Sequence, residues 1–99
     1  MEIIRTKNGD AEVVSIVGRL DTVTSTQLQT ALADALEAAE EIMLDFAGVD
    51  YVSSAGLRVL LFGQKTAQAS EKTMKLANVS SEVMEVFEIT GFSGMLTIE

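Results

Sequence analysis

Cysteine, histidine, proline and tryptophan are all missing from this 99-residue chain. Without cysteine there is no disulfide framework, no thiol nucleophile and no thiolate metal site. Without histidine the commonest metal ligand and general base is gone, and with it the usual residues of zinc and hydrolytic chemistry. Basic residues are few: 7 Lys and Arg stand against 15 Asp and Glu, a net charge of −8. Nucleic-acid backbones and anionic membrane surfaces repel such a chain. No apolar run approaches the roughly 20 residues that cross a bilayer, and Met1-Glu2-Ile3-Ile4-Arg5 meets charge too soon for a secretory leader. These absences leave a cytoplasmic protein that binds other proteins, with no nucleic acid, membrane, metal or cofactor expected.

Apolar residues make up 47% of the chain and charged residues 22%, the proportions of a folded domain rather than a disordered one. No linker, repeat or low-complexity tract interrupts it, so residues 1–99 are expected to form one domain. Ile3-Ile4 opens a short strand, and Asn8-Gly9-Asp10 is a hairpin turn leading to the β-branched run Val13–Val17, so the two strands should pair antiparallel. Leu28, Leu32 and Leu36, with Ala31, Ala35 and Ala39, trace one helical stripe. Thr24 and Gln27 have the spacing of a capping box at its start, and Val23 with Leu28 that of a hydrophobic staple. Ile42–Phe46 reads as a strand buried on both faces, and Ala47–Asp50 as the turn that ends it.

A second helix is expected from Ser53 or Ser54 to about Ala69, with Leu57, Val59, Leu60, Leu61 and Phe62 largely buried. Thr73–Ala77 alternates as a strand. Ser80 or Ser81 caps a third helix with Val83, Val86 and Phe87 inward, Gly91 just past its end and Phe92 reaching Phe87. Met95–Ile98 reads as a last strand. The resulting order, β-β-α-β-α-β-α-β, describes an α/β fold with a mixed sheet, parallel crossovers and about three helices.

One segment concentrates the functional signal: LDFAGVDYVSSAGLRVLL, Leu44 to Leu61. It places a serine hydroxyl at the mouth of a helix, beyond the carboxyl end of a buried strand, where open α/β sheets carry their sites. Unpaired amides of Ala55, Gly56 and Leu57 would face outward there, and Gly56 lets another group come close. Such a site tolerates an anion, although Ser54 serving only as a helix cap explains the same residues.

The segment resembles the signature of the STAS domain family, the anti-sigma factor antagonists. Further pieces follow in order: Val17-Gly18-Arg19-Leu20-Asp21 is similar to the family's G-x-L-D turn, Leu44-Asp45-Phe46 to its central strand, and Val49-Asp50-Tyr51-Val52 to the approach to the serine. Leu76–Ser80 and Ile89–Phe92 resemble its later strand and third-helix end, so the likeness runs through essentially the whole chain. The resemblance implies a STAS-like fold and a bacterial switch protein. Its unphosphorylated form would bind an anti-sigma factor that is itself a serine kinase, releasing a sigma factor. Phosphorylation of one serine breaks that complex, and a PP2C-like phosphatase restores it. Anchored on Gly56-Leu57, the acceptor falls on Ser54. The family's D-S-S-G is here Ser53-Ser54-Ala55-Gly56, which makes Ser53 a rival acceptor.

Around the serines, Asp21, Asp50, Gly56 and Arg58 are the further candidates for contact with the partner. Asp21 fits a structural turn residue equally well, Asp45 is expected to bond nearby backbone or loop groups, and Glu82, Glu85 and Glu88 read as a solvated face. Met43, Met74, Met84 and Met95 read as core filler. An enzyme is not expected: Ser54 has no histidine to activate it, and neither a P-loop nor GxGxxG occurs. The alternative is a STAS interaction module in a signalling assembly that never switches by phosphorylation.

Overall fold

A computed structural model describes all residues from Met1 to Glu99. Strands β1 (Glu2–Asn8) and β2 (Ala11–Leu20) precede helix α1 (Thr24–Ala38), followed by β3 (Glu41–Val52), α2 (Ser54–Ala69), β4 (Thr73–Ala77) and α3 (Ser81–Thr90). A short 3-10 turn, Phe92–Gly94, follows α3. The sheet order is β1-β2-β3-β4, antiparallel between β1 and β2 and parallel thereafter. Asn8 pairs with Ala11 across the hairpin, and Gly9 takes the left-handed φ of 64° that its turn demands.

The sheet is covered on one face. Val14, Ile16, Ile42, Leu44, Phe46, Met74 and Leu76 point to that face and are buried with Leu28, Leu32, Leu57, Leu60, Val83 and Phe87 of the three helices. Phe46 and Phe87 meet in tilted geometry, with ring centroids 6.4 Å apart. On the other face Val13, Ser15, Met43, Asp45 and Lys75 are only half-buried. The expectation that β3 is buried on both faces is therefore corrected: its hydrophobic run alternates between a deep core and a thin, uncovered side.

Strand β3 also runs through the expected turn at Ala47–Asp50. Bulges absorb the extra residues: the pairing with β2 shifts between Ser15 and Val17 and again between Gly18 and Arg19, where Gly18 faces Val49 and Arg19 faces Tyr51. The Asp45 carboxylate holds the first bulge by accepting the Ala47 amide at 3.0 Å, and it accepts the Asn78 side-chain amide at 3.0 Å. Asn78 itself sits at a left-handed φ of 58°, a conformation asparagine tolerates better than most residues.

The last strand shrinks to one bridge, Leu76 with Ile98. The Leu76 amide donates to the Thr97 carbonyl and the Glu99 amide returns to Leu76, each at 2.9 Å. Buried Gln64 takes the Thr97 amide at 3.1 Å, so α2 rather than a strand ladder fastens this tail. Phe62 and Met95 are exposed, against the expectation that both lie inside.

The α1 start differs as well. Asp21, three residues upstream of the expected Thr24 cap, accepts the Val23 and Thr24 amides at 3.0 Å each, and its carbonyl takes the Ser25 amide at 2.8 Å. Thr24 returns the favour by accepting the Asp21 amide at 2.8 Å, a reciprocal box built on Asp21 and Thr24. No Val23–Leu28 staple forms, because Val23 is 82% exposed.

The helix α1 carries no basic residue in its last turn. Lys7 donates to the Ala38 carbonyl at 2.6 Å and Lys72 to the Leu36 carbonyl, so cations from flanking elements cover the helix's negative end.

Candidate functional site

Ser53 and Ser54 lie directly after β3, at the carboxyl edge of the parallel strands. The Ser53 amide donates to the Leu20 carbonyl at 2.8 Å, tying the start of α2 to the end of β2. Ser53 has the extended backbone of an N-cap, and its hydroxyl accepts the Gly56 amide at 3.2 Å. Ser54 is the first helical residue, exposed, and its hydroxyl enters no intramolecular hydrogen bond. The cap expected at Ser54 is thus made by Ser53, which leaves the Ser54 oxygen free for chemistry from outside.

Gly56 is buried, and its reason is internal. A Cβ there would lie 2.7 Å from Leu20 Cγ and 3.1 Å from the Leu20 carbonyl oxygen. The close approach expected at this glycine is made by Leu20 of the same chain, so Gly56 positions the site without offering a surface to a partner.

Asp21 sits in the adjoining loop. The Thr24 amide, followed by the Thr24 hydroxyl, the Val23 amide and the Arg19 charge, holds its carboxyl below the ordinary carboxylate range. Its two shortest obligations are to the helix, which makes it a structural cap bordering the site. Asp50 stands at the second bulge and is exposed. Asp45 lies on the uncovered sheet face, its pKa lowered by the Asn78 side chain and then by the Ala47 amide.

Arg58 is exposed one turn beyond Ser54. Ser54, Arg58 and Phe62 stand four residues apart in turn, so they share one outward stripe of α2. Sequence reasoning placed Phe62 inside because it continues an apolar run; the four-residue step from Ser54 and Arg58 was the signal that it faces out. Nearby, the Arg19 guanidinium lies 4.1 Å from the centroid of the Tyr51 ring, a pair not foreseen from sequence. Val23 and Tyr51 thus bring exposed apolar surface to the serine end of the molecule, and Phe62 adds to it about two turns further along α2.

No group of three or more carboxylates gathers at a metal-binding spacing. A shallow cleft of about 240 Å³ lies elsewhere, near the amino ends of β3 and β4, lined by Val13, Glu41, Met43, Thr73 and Lys75. No helix is long and apolar enough to cross a membrane.

Residues 4–97 match the family model described as Mlab, STAS domain. The chain belongs to the STAS domain family. Two of its relatives carry the name of anti-sigma factor antagonist. BtrV of Bordetella bronchiseptica, assigned as one, is 32% identical over 87% of this chain and 75% of its own length. The anti-sigma-B factor antagonist of Bacillus subtilis is 27% identical over 86% of this chain and 78% of its own. Among solved structures, the anti-sigma factor antagonist SpoIIAA in its unphosphorylated form superposes with a TM-score of 0.82 at 20% identity, covering 99% of this chain and 88% of SpoIIAA. Its phosphorylated form, a Bacillus cell fate determinant, gives 0.76 at 19% identity over 99% and 91%. The four-stranded mixed sheet with three helices is the STAS fold, and anti-sigma factor antagonists are generally regulators rather than enzymes.

Proposed function

We propose that this STAS domain, spanning residues 1–99, is a cytoplasmic anti-sigma factor antagonist switched by phosphorylation of Ser54. The observation that carries this reading is the division between the two serines: Ser53 is committed to the helix cap, and Ser54 is exposed with a free hydroxyl. In the unphosphorylated state the surface around Ser54, including Asp50, Arg58 and Phe62, docks on an anti-sigma factor that is also a serine kinase. Docking displaces the sigma factor. The kinase then transfers a phosphoryl group from a nucleoside triphosphate to the Ser54 oxygen, the hydroxyl proton leaving to a base on the kinase. A PP2C-like phosphatase hydrolyses the ester and restores binding.

The energetics favour a switch at the interface rather than within the fold. A phosphate adds about −1.5 to −2 charges. At an exposed helix N-terminus it is favourable by about 0.3–1 kcal/mol, offset by the neighbouring acids Asp50 and Asp21. Against a docked surface, a like charge or a desolvated phosphate without partners costs several kcal/mol, which lowers affinity by orders of magnitude.

Site mapping tests the acceptor. Protein recovered from its host is digested and its phosphopeptides sequenced by mass spectrometry. Phosphate on Ser54 is the expected finding. Phosphate on Ser53 would overturn the assignment, and an absence of phosphate under every growth condition would favour a STAS interaction module without phospho-switching.

A further inference from the structure

Seven cationic side chains serve this chain of net charge −8, and the structure accounts for four of them. Arg5 is bound to Glu12, Lys7 and Lys72 to the carbonyls ending α1, and Arg19 lies over Tyr51. Arg58, Lys65 and Lys75 remain without a hydrogen-bonded or ion-pair partner. Lys75 belongs to the uncovered sheet face on β4, which ends at Ala77 opposite Asp45 and stops well short of Ser53. Lys65 is eleven residues beyond Ser54, about 16 Å along the helix axis. Arg58 alone is both free and within one turn of the Ser54 hydroxyl.

We infer that Arg58 is the intramolecular counter-ion of a phosphate on Ser54. The inference rests on Ser54 as the modified residue. An anion placed four residues N-terminal to a cation is the favoured order for a helix-surface pair, with Cβ atoms about 5–6 Å apart. A guanidinium matches phosphate oxygens in a two-pronged geometry that an ammonium cannot reproduce. The other charged or titratable groups facing this end are Asp21 from the β2–α1 loop, Asp50 and Tyr51 from β3, and Arg19 from β2. Asp21 and Asp50 oppose the phosphate, and Arg19 is held by the Tyr51 ring, so the pair with Arg58 is the local attraction. Its consequence deepens the switch: modification adds negative charge and also draws Arg58 away from the docking surface. One reaction therefore removes two features that a partner could recognise.

The test uses full-length protein with phosphoserine installed at position 54 by expanded-code translation, so that neither a kinase nor a partner is required. The second ionisation of the phosphate is followed by phosphorus NMR at low salt in four proteins: the parent sequence, Arg58→Gln, Arg58→Lys and Lys65→Gln. Pairing stabilises the dianion, so the ionisation should move up by about 0.3 pH unit in Arg58→Gln. It should move by less in Arg58→Lys and stay at the parent value in Lys65→Gln. An unchanged ionisation in Arg58→Gln overturns the inference, as does an equal shift in Arg58→Gln and Lys65→Gln, which would reflect net charge alone. Both residues are exposed, so the substitutions leave the core intact. Failure of Ser54 as a cellular switch would appear in phosphosite mapping, not in this titration.

Discussion

Ser53 accepts the Gly56 amide at 3.2 Å, while the neighbouring Ser54 hydroxyl bonds to nothing in the chain. Adjacent residues of the same type thereby take different work: one fixes the helix and the other stays available at its mouth. The extended backbone of Ser53, against the helical backbone of Ser54, separates the two directions.

Removing each hydroxyl in turn exposes that division. Ser53→Ala should lose about 0.5–2 kcal/mol of stability, the range for a deleted cap. In a domain of this size that lowers Tm by several degrees, at about 4–8 °C per kcal/mol. Ser54→Ala should remain within about 0.5 kcal/mol of the parent, as for an exposed residue with no partner. Urea and thermal unfolding of the two variants side by side check this; equal losses would contradict the assignment of the cap to Ser53.

Leu20 and Gly56 form the steric joint that presses α2 onto the end of β2. Gly56→Ala should destabilise by about 1–3 kcal/mol, because the new methyl meets both the Leu20 side chain and its carbonyl oxygen. Coupled with Leu20→Ala, the pair should be less destabilised than the sum of the two single changes. Additive losses would show that Leu20 is not what Gly56 accommodates.

Acid should weaken the fold through Asp21 and Asp45. Both carboxyls have pKa values below their ordinary range when folded, Asp21 chiefly through the Thr24 amide and Asp45 chiefly through Asn78. Between the lowered and ordinary values the unfolded chain binds more protons, so their contribution is complete above the ordinary carboxylate range and disappears as pH falls through the lowered one. Asp21→Asn keeps a capping side chain but cannot ionise there. Its unfolding midpoint in urea should therefore approach that of the parent as the solution is acidified from pH 7 to about pH 3. A gap that stays constant over that range would contradict a charged Asp21 cap.

Glu12 is 2% exposed, and Arg5 supplies its countercharge through two nitrogens. Arg5→Leu should cost about 1–3 kcal/mol, since it strands a buried carboxylate. Adding Glu12→Leu should recover most of that loss by replacing the ion pair with apolar packing. Stability that drops further in the double variant would show the pair to be net favourable, contrary to this expectation.

The fold was legible where apolar periodicity and turn chemistry agreed. The Leu28–Leu32–Leu36 stripe, the Asn8-Gly9-Asp10 hairpin and the left-handed Gly91, φ 82°, after α3 all stand as the residues imply. Ser80 caps α3 by accepting the Val83 amide at 3.2 Å. Legibility failed where a side chain did the work of backbone. Ala47-Gly48 reads as a turn, yet Asp45 satisfies the Ala47 amide and the strand continues through a bulge. Met95–Ile98 alternates like a strand, but Gln64 captures one of its amides and only Leu76 pairs with it. Near the candidate site, the placement of the serine pair at the start of α2 and the outward position of Arg58 could be read from the sequence. The choice of Ser53 as cap could not, because Ser53 and Ser54 are equally good capping residues and only three-dimensional geometry separates them.

Parallel capture from host lysate tests the central claim most directly, with the parent protein and Ser54→Asp as baits and the bound proteins identified and quantified by mass spectrometry. The expected result is an anti-sigma factor with an ATPase-type serine kinase domain, held by the parent and lost with Ser54→Asp, while both baits show the same thermal unfolding. Equal capture of that kinase by the two baits would contradict a charge-operated switch at Ser54.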